Sequence, residues 1–435
     1  MFILHCARRP WSFAIALALV VALPAPTAQQ EPKPRWLLAQ AFHIPSEYTN
    51  QESSYFSIIE GHNGNIYVGT AKYGVNSFLI EFNPAKWVAR MVVDVHRAIM
   101  KFLKGFGAQA KIHTRNNVGK SGKIYIGTKQ GYPEKNEKRT DYPGGYVVTY
   151  DPKTGKTEHF GTAKKHHGII SVMPDEDRDV AYISTCDDGR PIEHSHFMIL
   201  DLKEKTYKDL GDCQHSYAFI VLDNQGRAYH PVRGGLIARY DPATKKLVKL
   251  PVTVDGAAPP KDITKDGAIL NWETSPDKKT LYAIEMSTNQ LFSFDLTASG
   301  NSIPGKKLGA LLPGAKSTDC RALAVSPKGI AWATVTTPGK EGAEFHLVSY
   351  QPGDKAPRDR GQVGIANPDY APFKDAKGKP LPWHHCIRKA KDGTLLPFVP
   401  LGICAAKDGS VYATTLAPLT ILRFSPEVLK KASGR

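Results

Sequence analysis

Two successive β-rich segments of the chain each open on histidine. The first begins with His166 and His167, and the second begins with His215 and reaches Tyr217 two residues later. Arg233 follows Tyr217 by 16 positions, across one predicted hairpin. Histidine and tyrosine transfer protons, and arginine binds an anion through two parallel hydrogen bonds. The pattern indicates acid–base chemistry on an anionic substrate, with Tyr217, His167 and Arg233 as the catalytic residues.

A short strand with a central aromatic residue recurs along the chain. Seven copies are present, at 65–70, 123–128, 180–185, 227–229, 281–283, 330–334 and 411–415. Asn/Asp-Gly turns precede several copies and corners such as Tyr150-Asp151-Pro152 follow most of them, as in β-meanders. The spacing of about 50 residues is typical of propeller blades. The sequence therefore predicts an all-β fold, a seven-bladed β-propeller of four-stranded antiparallel blades.

The last repeat ends soon after Phe424, without a fourth strand. The segment 35–42 near the other end of the chain is a spare strand. Pairing this segment beside Leu419–Phe424 would close the ring and remove open sheet edges. We therefore expect residues 29–435 to form a single propeller domain closed by its N-terminal strand.

Three insertions interrupt the repeats. Residues 91–106 have the apolar pattern of a helix, 131–144 form a charged loop, and 367–397 form a long loop rich in proline and lysine. Loops as long as 367–397 are usually functional or disordered in compact domains.

The first residues have the layout of a secretory signal peptide. Arg8 and Arg9 precede an apolar run, Phe13–Leu23, which is followed by small residues up to Ala28. The run is too short to span a bilayer comfortably. We expect residues 1–28 to be removed and the mature protein to be secreted or periplasmic, with no stable membrane insertion.

The charge of the chain is strongly basic, with a formal net charge of +16 and a pI of about 9.4. Basic surfaces attract polyanions, although they also serve simply to keep a protein soluble. Nucleic acid is not the expected partner, because the sequence has no basic helix, zinc-finger spacing or aromatic RNA-binding motif. We expect a monomer that binds an anionic polysaccharide.

Residues that open the inner strands of a propeller converge at one end of its central channel. The substrate-binding candidates at these positions are His113, Arg115, His166, His215 and Arg321. A histidine at a strand opening is more often structural and bonded to a backbone carbonyl. The clustering of such residues in consecutive repeats favours a functional role.

Five cysteines remain once Cys6 is removed with the signal, so at most two disulfides form. A disulfide among Cys320, Cys386 and Cys404 is the favoured interpretation in an oxidising compartment. The alternative is a structural zinc or calcium site, for which His384, His385, Cys386 and Cys404 are candidate ligands. Their spacing matches no zinc motif. No cofactor is required for the expected catalysis.

The motifs Tyr142-Pro143-Gly144-Gly145, Tyr150-Asp151-Pro152 and His166-His167-Gly168, together with Tyr217 and Arg233, resemble the secreted seven-bladed propeller polysaccharide lyases, especially the ulvan lyases. The architecture is also similar to that of the oligogalacturonate lyases. The resemblance implies β-elimination on a uronate-containing, in some cases sulfated, glycan. It implies that a tyrosine and a histidine share proton transfer, that an arginine neutralises the carboxylate, and that a structural metal is bound.

One position departs from the pattern of that family. Where the family tends to have another histidine after the glycine pair, this chain has Tyr146. Either Tyr146 takes over a substrate contact, which makes it a further substrate-binding candidate, or the substrate differs.

The chemistry fits these residue types independently of the resemblance. The proton on carbon 5 of a uronic acid becomes acidic when the adjacent carboxylate is neutralised. A phenol beside a cation has a lowered pKa, so Tyr217 would serve as base, acid or both.

Two alternatives to a lyase remain open. One is a calcium-dependent lactonase or streptogramin-lyase-like propeller, with Asn271, Glu273 and Asp319 as candidate ligands. The other is a non-catalytic propeller that binds a glycan or a protein.

Overall fold

A computed structural model describes residues 36–50, 55–189, 192–259, 270–382 and 384–432. The predicted signal peptide, residues 1–28, lies outside the described residues. Across the described ranges, no helix has the length and apolar character needed to cross a membrane.

Antiparallel meanders, in which strands pair in chain order, make up most of the described chain. The first strand is β1 (Leu37–His43). The next three meanders consist of β2 (Ile58–Glu60), β3 (Ile66–Gly69), β4 (Phe78–Asn83), β5 (Val88–Asp94), β6 (Asn117–Val118), β7 (Ile124–Gly127), β8 (Tyr146–Tyr150), β9 (Thr157–Thr162), β10 (Gly168–Asp175), β11 (Val180–Cys186), β12 (His196–Asp201) and β13 (Tyr207–Asp212). Each of these three is a separate four-stranded sheet.

The second half of the chain continues the same pattern. Its strands are β14 (Val221–Leu222), β15 (Ala228–Val232), β16 (Leu236–Asp241), β17 (Lys246–Val254), β18 (Leu270–Thr274), β19 (Thr280–Glu285), β20 (Gln290–Asp295), β21 (Ile303–Ala310), β22 (Leu323–Val325), β23 (Ala331–Gly339), β24 (Gly342–Tyr350), β25 (Arg358–Ile365), β26 (Ile387–Lys389), β27 (Leu395–Pro397), β28 (Pro400–Ala405), β29 (Val411–Thr415) and β30 (Thr420–Phe424). Parallel pairing of β17 with β21, and of β1 with β25, joins meanders into larger sheets. The all-β, antiparallel, four-stranded character predicted from the repeats is confirmed.

Strand β1 lies between the last two meanders. It pairs antiparallel with β30, with Gln40 opposite Arg423 and Phe42 opposite Ile421, and it pairs in parallel with β25. The side chain of Asn367 bonds both the amide and the carbonyl of Ala41. The predicted pairing of the N-terminal strand beside Leu419–Phe424 is therefore confirmed.

The recurring aromatic residue of each repeat is buried between sheets. Its copies are Tyr67, Tyr125, Tyr182, Tyr229, Tyr282, Trp332 and Tyr412. The hydroxyl of Tyr67, for example, donates to Glu81, and its ring packs 6.1 Å from that of Tyr150 in the next meander. Buried aromatic rings contribute large apolar areas to a core. These residues stabilise the contacts between neighbouring meanders.

The helix expected over residues 91–106 is mostly wrong. Strand β5 takes up residues as far as Asp94, and helical structure is confined to α1 (Val95–Ala98) and a 3-10 turn at Gly105–Gly107. The β-branched Val92 and Val93 favour a strand, and β5 completes the first meander by pairing with β4. The Asp94 side chain caps the short helix by accepting from the Arg97 amide.

The other insertions differ in how much regular structure they contain. The loop 131–144 has one short 3-10 turn, Arg139–Asp141, whereas the insertion 367–397 contains β26 and β27, and β27 pairs with the last residue of β25. The chain continues from β30 into α2 (Pro426–Ala432).

The disulfide expected among the cysteines is a second point on which the structure differs from the sequence prediction. The five cysteines in the described part of the chain, Cys186, Cys213, Cys320, Cys386 and Cys404, are all buried and form no disulfide there. The favoured disulfide among Cys320, Cys386 and Cys404 is therefore wrong. Cys320 and Cys404 pack in separate hydrophobic clusters, so the sheets place their sulfur atoms apart.

Candidate functional site

Two tyrosines lie in turns immediately before inner strands. Tyr55 precedes β2 with a φ of 48°, and Tyr217 precedes β14 with a φ of 49°. Asp188, which follows β11, has a φ of 56°. Such left-handed backbone costs a non-glycine residue roughly 1–2 kcal/mol, and strain of this kind clusters at functional sites. Ten other described non-glycine residues share this backbone, so it is the contacts of these three that make them candidates for a site.

His113 lies between these two tyrosines. Its ring centroid is 3.8 Å from that of Tyr55 and 5.1 Å from that of Tyr217, and Phe56 packs against its edge. The residue is only 1% exposed, and within the described part of the chain neither ring nitrogen has a hydrogen-bond partner. Buried polar atoms are normally bonded, so this imidazole without a partner is a candidate for binding or proton transfer.

Two buried lysines flank His113. Lys111 and Lys129 face each other across a short antiparallel bridge, in which each amide bonds the carbonyl of the other at 3.0 and 2.9 Å. Side chains directly opposite in such a pair project to the same side. The Lys129 Nζ atom lies 5.0 Å from the ring centroid of Tyr217 and 2.6 Å from Asp188 Oδ1. Two cations are thereby held at the tyrosine–histidine group.

Lys129 is the positive charge of an otherwise acidic cluster. Possible ligand atoms of Cys186, Asp188 and Glu193 lie within 4.8 Å of one another. Burial favours the neutral amine, but attraction to Cys186, Asp188, Tyr217 and Glu193 outweighs it and holds the pKa of Lys129 well above its usual value. Burial raises the pKa of the Cys186 thiol although Lys129 opposes the change. The raised pKa disfavours the thiolate that binds metal, and the lysine ammonium already balances the carboxylates of the set.

The pKa values of His113 and Tyr217 move in opposite directions. Burial, aided by Lys129 and Lys111, lowers the pKa of His113 well below its usual value. Lys129 also pulls the pKa of Tyr217 down, but burial and the nearby acidic groups outweigh it, and the pKa rises to about 12. The expected lowering of the Tyr217 pKa is therefore wrong. The neutral imidazole of His113 can accept a proton, and the protonated phenol of Tyr217, which lies against it, can donate one.

Two predicted catalytic residues have other partners. His167 Nδ1 lies 3.2 Å from Thr185 Oγ1, and its ring packs on His196 at 5.4 Å. Burial lowers the pKa of His167 to about 4, although Asp187 opposes the shift. The backbone amide of Arg233 donates to the carbonyl of Cys213. The contacts of His167 and Arg233 differ from those of Tyr217, and their catalytic roles stay predictions.

Three predicted substrate-binding residues are bonded within the protein. His166 Nδ1 lies 2.7 Å from the carbonyl oxygen of Tyr142, and His215 Nδ1 lies 3.0 Å from that of the next residue. The hydroxyl of Tyr146 accepts from Lys101 Nζ at 2.8 Å. For His166 and His215, a ring nitrogen bonded to a backbone carbonyl is the arrangement typical of a structural histidine.

The remaining substrate-binding candidates lie with the residues proposed as calcium ligands. Arg115 forms an ion pair with Glu273, and Arg321 pairs with Asp319 at 2.7 Å. The side-chain amide of Asn271 donates to the Arg321 carbonyl, and Arg115, Asn271 and Glu273 line one cavity. Each carboxylate is paired with a guanidinium, so the arrangement does not suit a calcium site.

The predicted metal ligands do not assemble in the described residues. His384, His385, Cys386 and Cys404 form no cluster of three ligands there, whereas Cys186, Asp188 and Glu193 do. The ring of His384 packs on Phe373 at 4.5 Å. Cys404 is buried, and burial raises its pKa to about 12, which disfavours the thiolate that binds metal.

Lys111, Lys129 and Asp188 were not recognised from the sequence. A local signal exists for both lysines, because each stands two residues from a recognised feature: Lys111 before His113, and Lys129 after Gly127 of a repeat strand. Charged residues so close to buried strands are candidates for buried pairs. Asp188 lies 59 positions from Lys129 and carries no such signal.

Comparison with known proteins supports the fold. No family model and no curated protein matches the chain. The β-propeller domain of Cps50 (Swd1) from Myceliophteria thermophila is similar in structure, with a TM-score of 0.53 and 9% identity over 88% of this chain and 99% of that one. The chain accordingly has a β-propeller fold.

Two further structures match at lower scores. The mitotic checkpoint complex matches with a TM-score of 0.49 and 11% identity, over 94% of this chain and 99% of that one. A periplasmic gluconolactonase from Pseudomonas aeruginosa matches with a TM-score of 0.47 and 12% identity, over 81% and 92%.

Proposed function

We propose that the protein is a polysaccharide lyase that cleaves an anionic, uronate-containing glycan by β-elimination. The observation that carries the proposal is the contact of Tyr217 with both a neutral, orphaned His113 and the buried cation Lys129. An acid, a base and an anion-binding cation are the groups that β-elimination requires.

Each group has one role in the proposed reaction. The ammonium of Lys129, which also pairs with Asp188, supplies positive potential at the uronate carboxylate and so acidifies the proton on carbon 5. His113 accepts that proton as the bond between carbon 5 and hydrogen breaks. Tyr217 donates its hydroxyl proton to the leaving oxygen as the bond between carbon 4 and oxygen breaks, and a double bond forms between carbons 4 and 5.

The pKa shifts set the protonation states from which these roles start. The raised pKa of Tyr217 keeps the phenol protonated, and the lowered pKa of His113 keeps the imidazole neutral, although burial beside two lysines also makes it a weaker base. In this assignment Lys129 takes the role that the resemblance gives to Arg233, and His113 takes the role of His167. This reassignment of roles rests on the contacts that Tyr217 makes with His113 and Lys129.

Access to His113 requires a movement of one tyrosine. The rings of Tyr55 and Tyr217 cover the imidazole, and both residues have strained left-handed backbone. Substrate binding is expected to displace the Tyr55 ring, because Tyr217 must stay beside Lys129.

The proposal includes a closed ring of seven blades. Six four-stranded meanders and a seventh completed by β1 support this count, as do the seven aromatic repeats. A secreted or periplasmic location is proposed from the first 28 residues, and a monomer that needs no cofactor is proposed from the sequence.

The test is a screen of uronate-containing glycans for absorbance by the new carbon–carbon double bond. Wild type should yield the unsaturated product, and Tyr217→Phe should lower turnover by roughly two to four orders of magnitude. Tyr282→Phe, which removes the hydroxyl of a repeat tyrosine, is the matched control and should retain activity. Absence of the product with every glycan, or full activity of Tyr217→Phe, would contradict the proposal.

A further inference from the structure

A second group of tyrosines adjoins the proposed catalytic residues. Tyr55 comes before β2, Tyr73 follows β3, and Tyr132 follows β7. The Tyr55 hydroxyl oxygen lies 2.7 Å from that of Tyr73 and 3.3 Å from that of Tyr132, and the rings of Tyr73 and Tyr132 pack at 5.4 Å. Three separate loops therefore bring their phenol groups to one point, which we call the tyrosine platform.

A buried cation lies beneath this platform. The Nζ atom of Lys111 is 4.0 Å from the ring centroid of Tyr132, 4.9 Å from that of Tyr73 and 5.1 Å from that of Tyr55. The lysine is 2% exposed, so its charge is screened by protein more than by water. The positive potential extends through the rings to the surface above them.

The upper surface of the platform is open to solvent. Tyr132 is 63% exposed, although it is held by its hydroxyl contact and by the neighbouring ring. Large exposed side chains held in a fixed arrangement mark binding sites more often than isolated surface residues do. The platform therefore presents flat aromatic area, phenol hydroxyls and positive potential together.

We propose that the tyrosine platform with Lys111 is a binding subsite for a negatively charged sugar ring. Sugar rings have apolar C–H faces that pack on aromatic rings, and their hydroxyls bond to phenols. The Lys111 charge favours a carboxylate or sulfate on that sugar over a neutral sugar. Tyr55 belongs to the platform and also packs on His113, so the two sites adjoin, and when substrate moves the Tyr55 ring the rings of Tyr73 and Tyr132 remain beside Lys111. The inference deepens the proposed lyase function and, for its substrate, rests on it.

The test measures binding separately from turnover. Wild type, Tyr132→Ala and Tyr132→Trp are applied to an array of uronate-containing and sulfated oligosaccharides beside their carboxyl-reduced and desulfated counterparts. Phe102→Ala is the matched control, because Phe102 is an exposed aromatic residue, 72% accessible, that packs on His96 instead. Folding of each variant is checked by its melting temperature.

We expect wild type to bind charged members at least tenfold more tightly than their neutral counterparts. Tyr132→Ala should lose at least tenfold in affinity, Tyr132→Trp should restore most of it, and Phe102→Ala should match wild type. Equal binding of neutral and charged members, wild-type binding by Tyr132→Ala, or no glycan binding would overturn the subsite.

The outcomes separate the two proposals. Charged-glycan binding that depends on Tyr132, without an unsaturated product from any glycan, retains the subsite and contradicts the lyase reaction. An unsaturated product formed equally well by Tyr132→Ala, with unchanged binding, retains the reaction and overturns the subsite.

Discussion

Replacement of Lys129 by methionine tests the arrangement on which the proposed site depends. Methionine keeps much of the apolar length of lysine but removes the ammonium that lies 2.6 Å from Asp188 Oδ1. The side chains of Lys129 and Asp188 are only 1% and 17% exposed. The substitution therefore leaves a largely buried carboxylate without its cation, close to Glu193.

The magnitude follows from the burial of this pair. Removal of one partner from a buried ion pair costs about 3–5 kcal/mol, because the other charge remains desolvated. The residual exposure of Asp188 places the expected loss near the lower end, at about 3 kcal/mol. The double variant Lys129→Met/Asp188→Asn should recover at least half of the loss, because the amide carries no charge.

The pH dependence of the single variant has a defined sign. Without the ammonium, burial and Glu193 should raise the folded-state pKa of Asp188 above its unfolded value, so the folded state binds the proton more tightly. Stability then falls as the pH rises through this range. The destabilisation relative to wild type should therefore be larger at pH 8 than at pH 5.

The assay is urea unfolding, followed by tryptophan fluorescence, at both pH values. Lys120→Met is the matched control, because its ion pair with Asp177 at 2.5 Å is exposed, with side chains 75% and 66% accessible. Exposed pairs contribute less than about 1 kcal/mol. If Lys129→Met costs no more than Lys120→Met, or the double variant shows no recovery, Lys129 is not the counter-ion of a buried acidic cluster.

Three further perturbations test other parts of the structure. His215→Asn should reduce the acid sensitivity of folding. Burial lowers the pKa of His215 to about 4, so the unfolded state takes up the proton first as the pH falls. Wild type therefore loses roughly 2 kcal/mol of folding stability from this group between pH 7 and pH 5. Equal acid sensitivity of variant and wild type in urea titrations would refute this. Arg233→Lys should retain most turnover if Lys129 binds the carboxylate, whereas a large loss would support a bidentate role for Arg233. A chain that starts at Ser46 should be insoluble because it lacks β1, and a soluble chain with an unchanged melting temperature would contradict closure by that strand.

The repeated architecture was predictable because its signals are local. An aromatic residue between small β-formers, as in Ile66-Tyr67-Val68, predicts a buried strand, and its recurrence predicts a series of meanders. The closing strand followed from the missing fourth strand after Phe424. Each of these inferences uses neighbours in sequence or a simple count.

The site was only partly predictable because its contacts join distant positions. Tyr217 and His113 were recognised by residue type, but the cation beside Tyr217 is Lys129, which a sequence reading assigns to the surface. The direction of the Tyr217 pKa shift depends on the burial of Tyr217 and on the nearby Asp188. The spacing of residues along the sequence shows neither. The helix expected after Met91 was wrong for a similar reason, since pairing with β4 outweighs local apolar periodicity.

Strand β1 also has a consequence for the order in which the chain folds. It is synthesised well before its partners β25 and β30, and the bonds between Ala41 and Asn367 join residues 326 positions apart. Contacts of such separation form slowly. The edges of β25 and β30 stay open to other chains until β1 inserts between them, so aggregation during folding is expected to depend on how quickly β1 inserts.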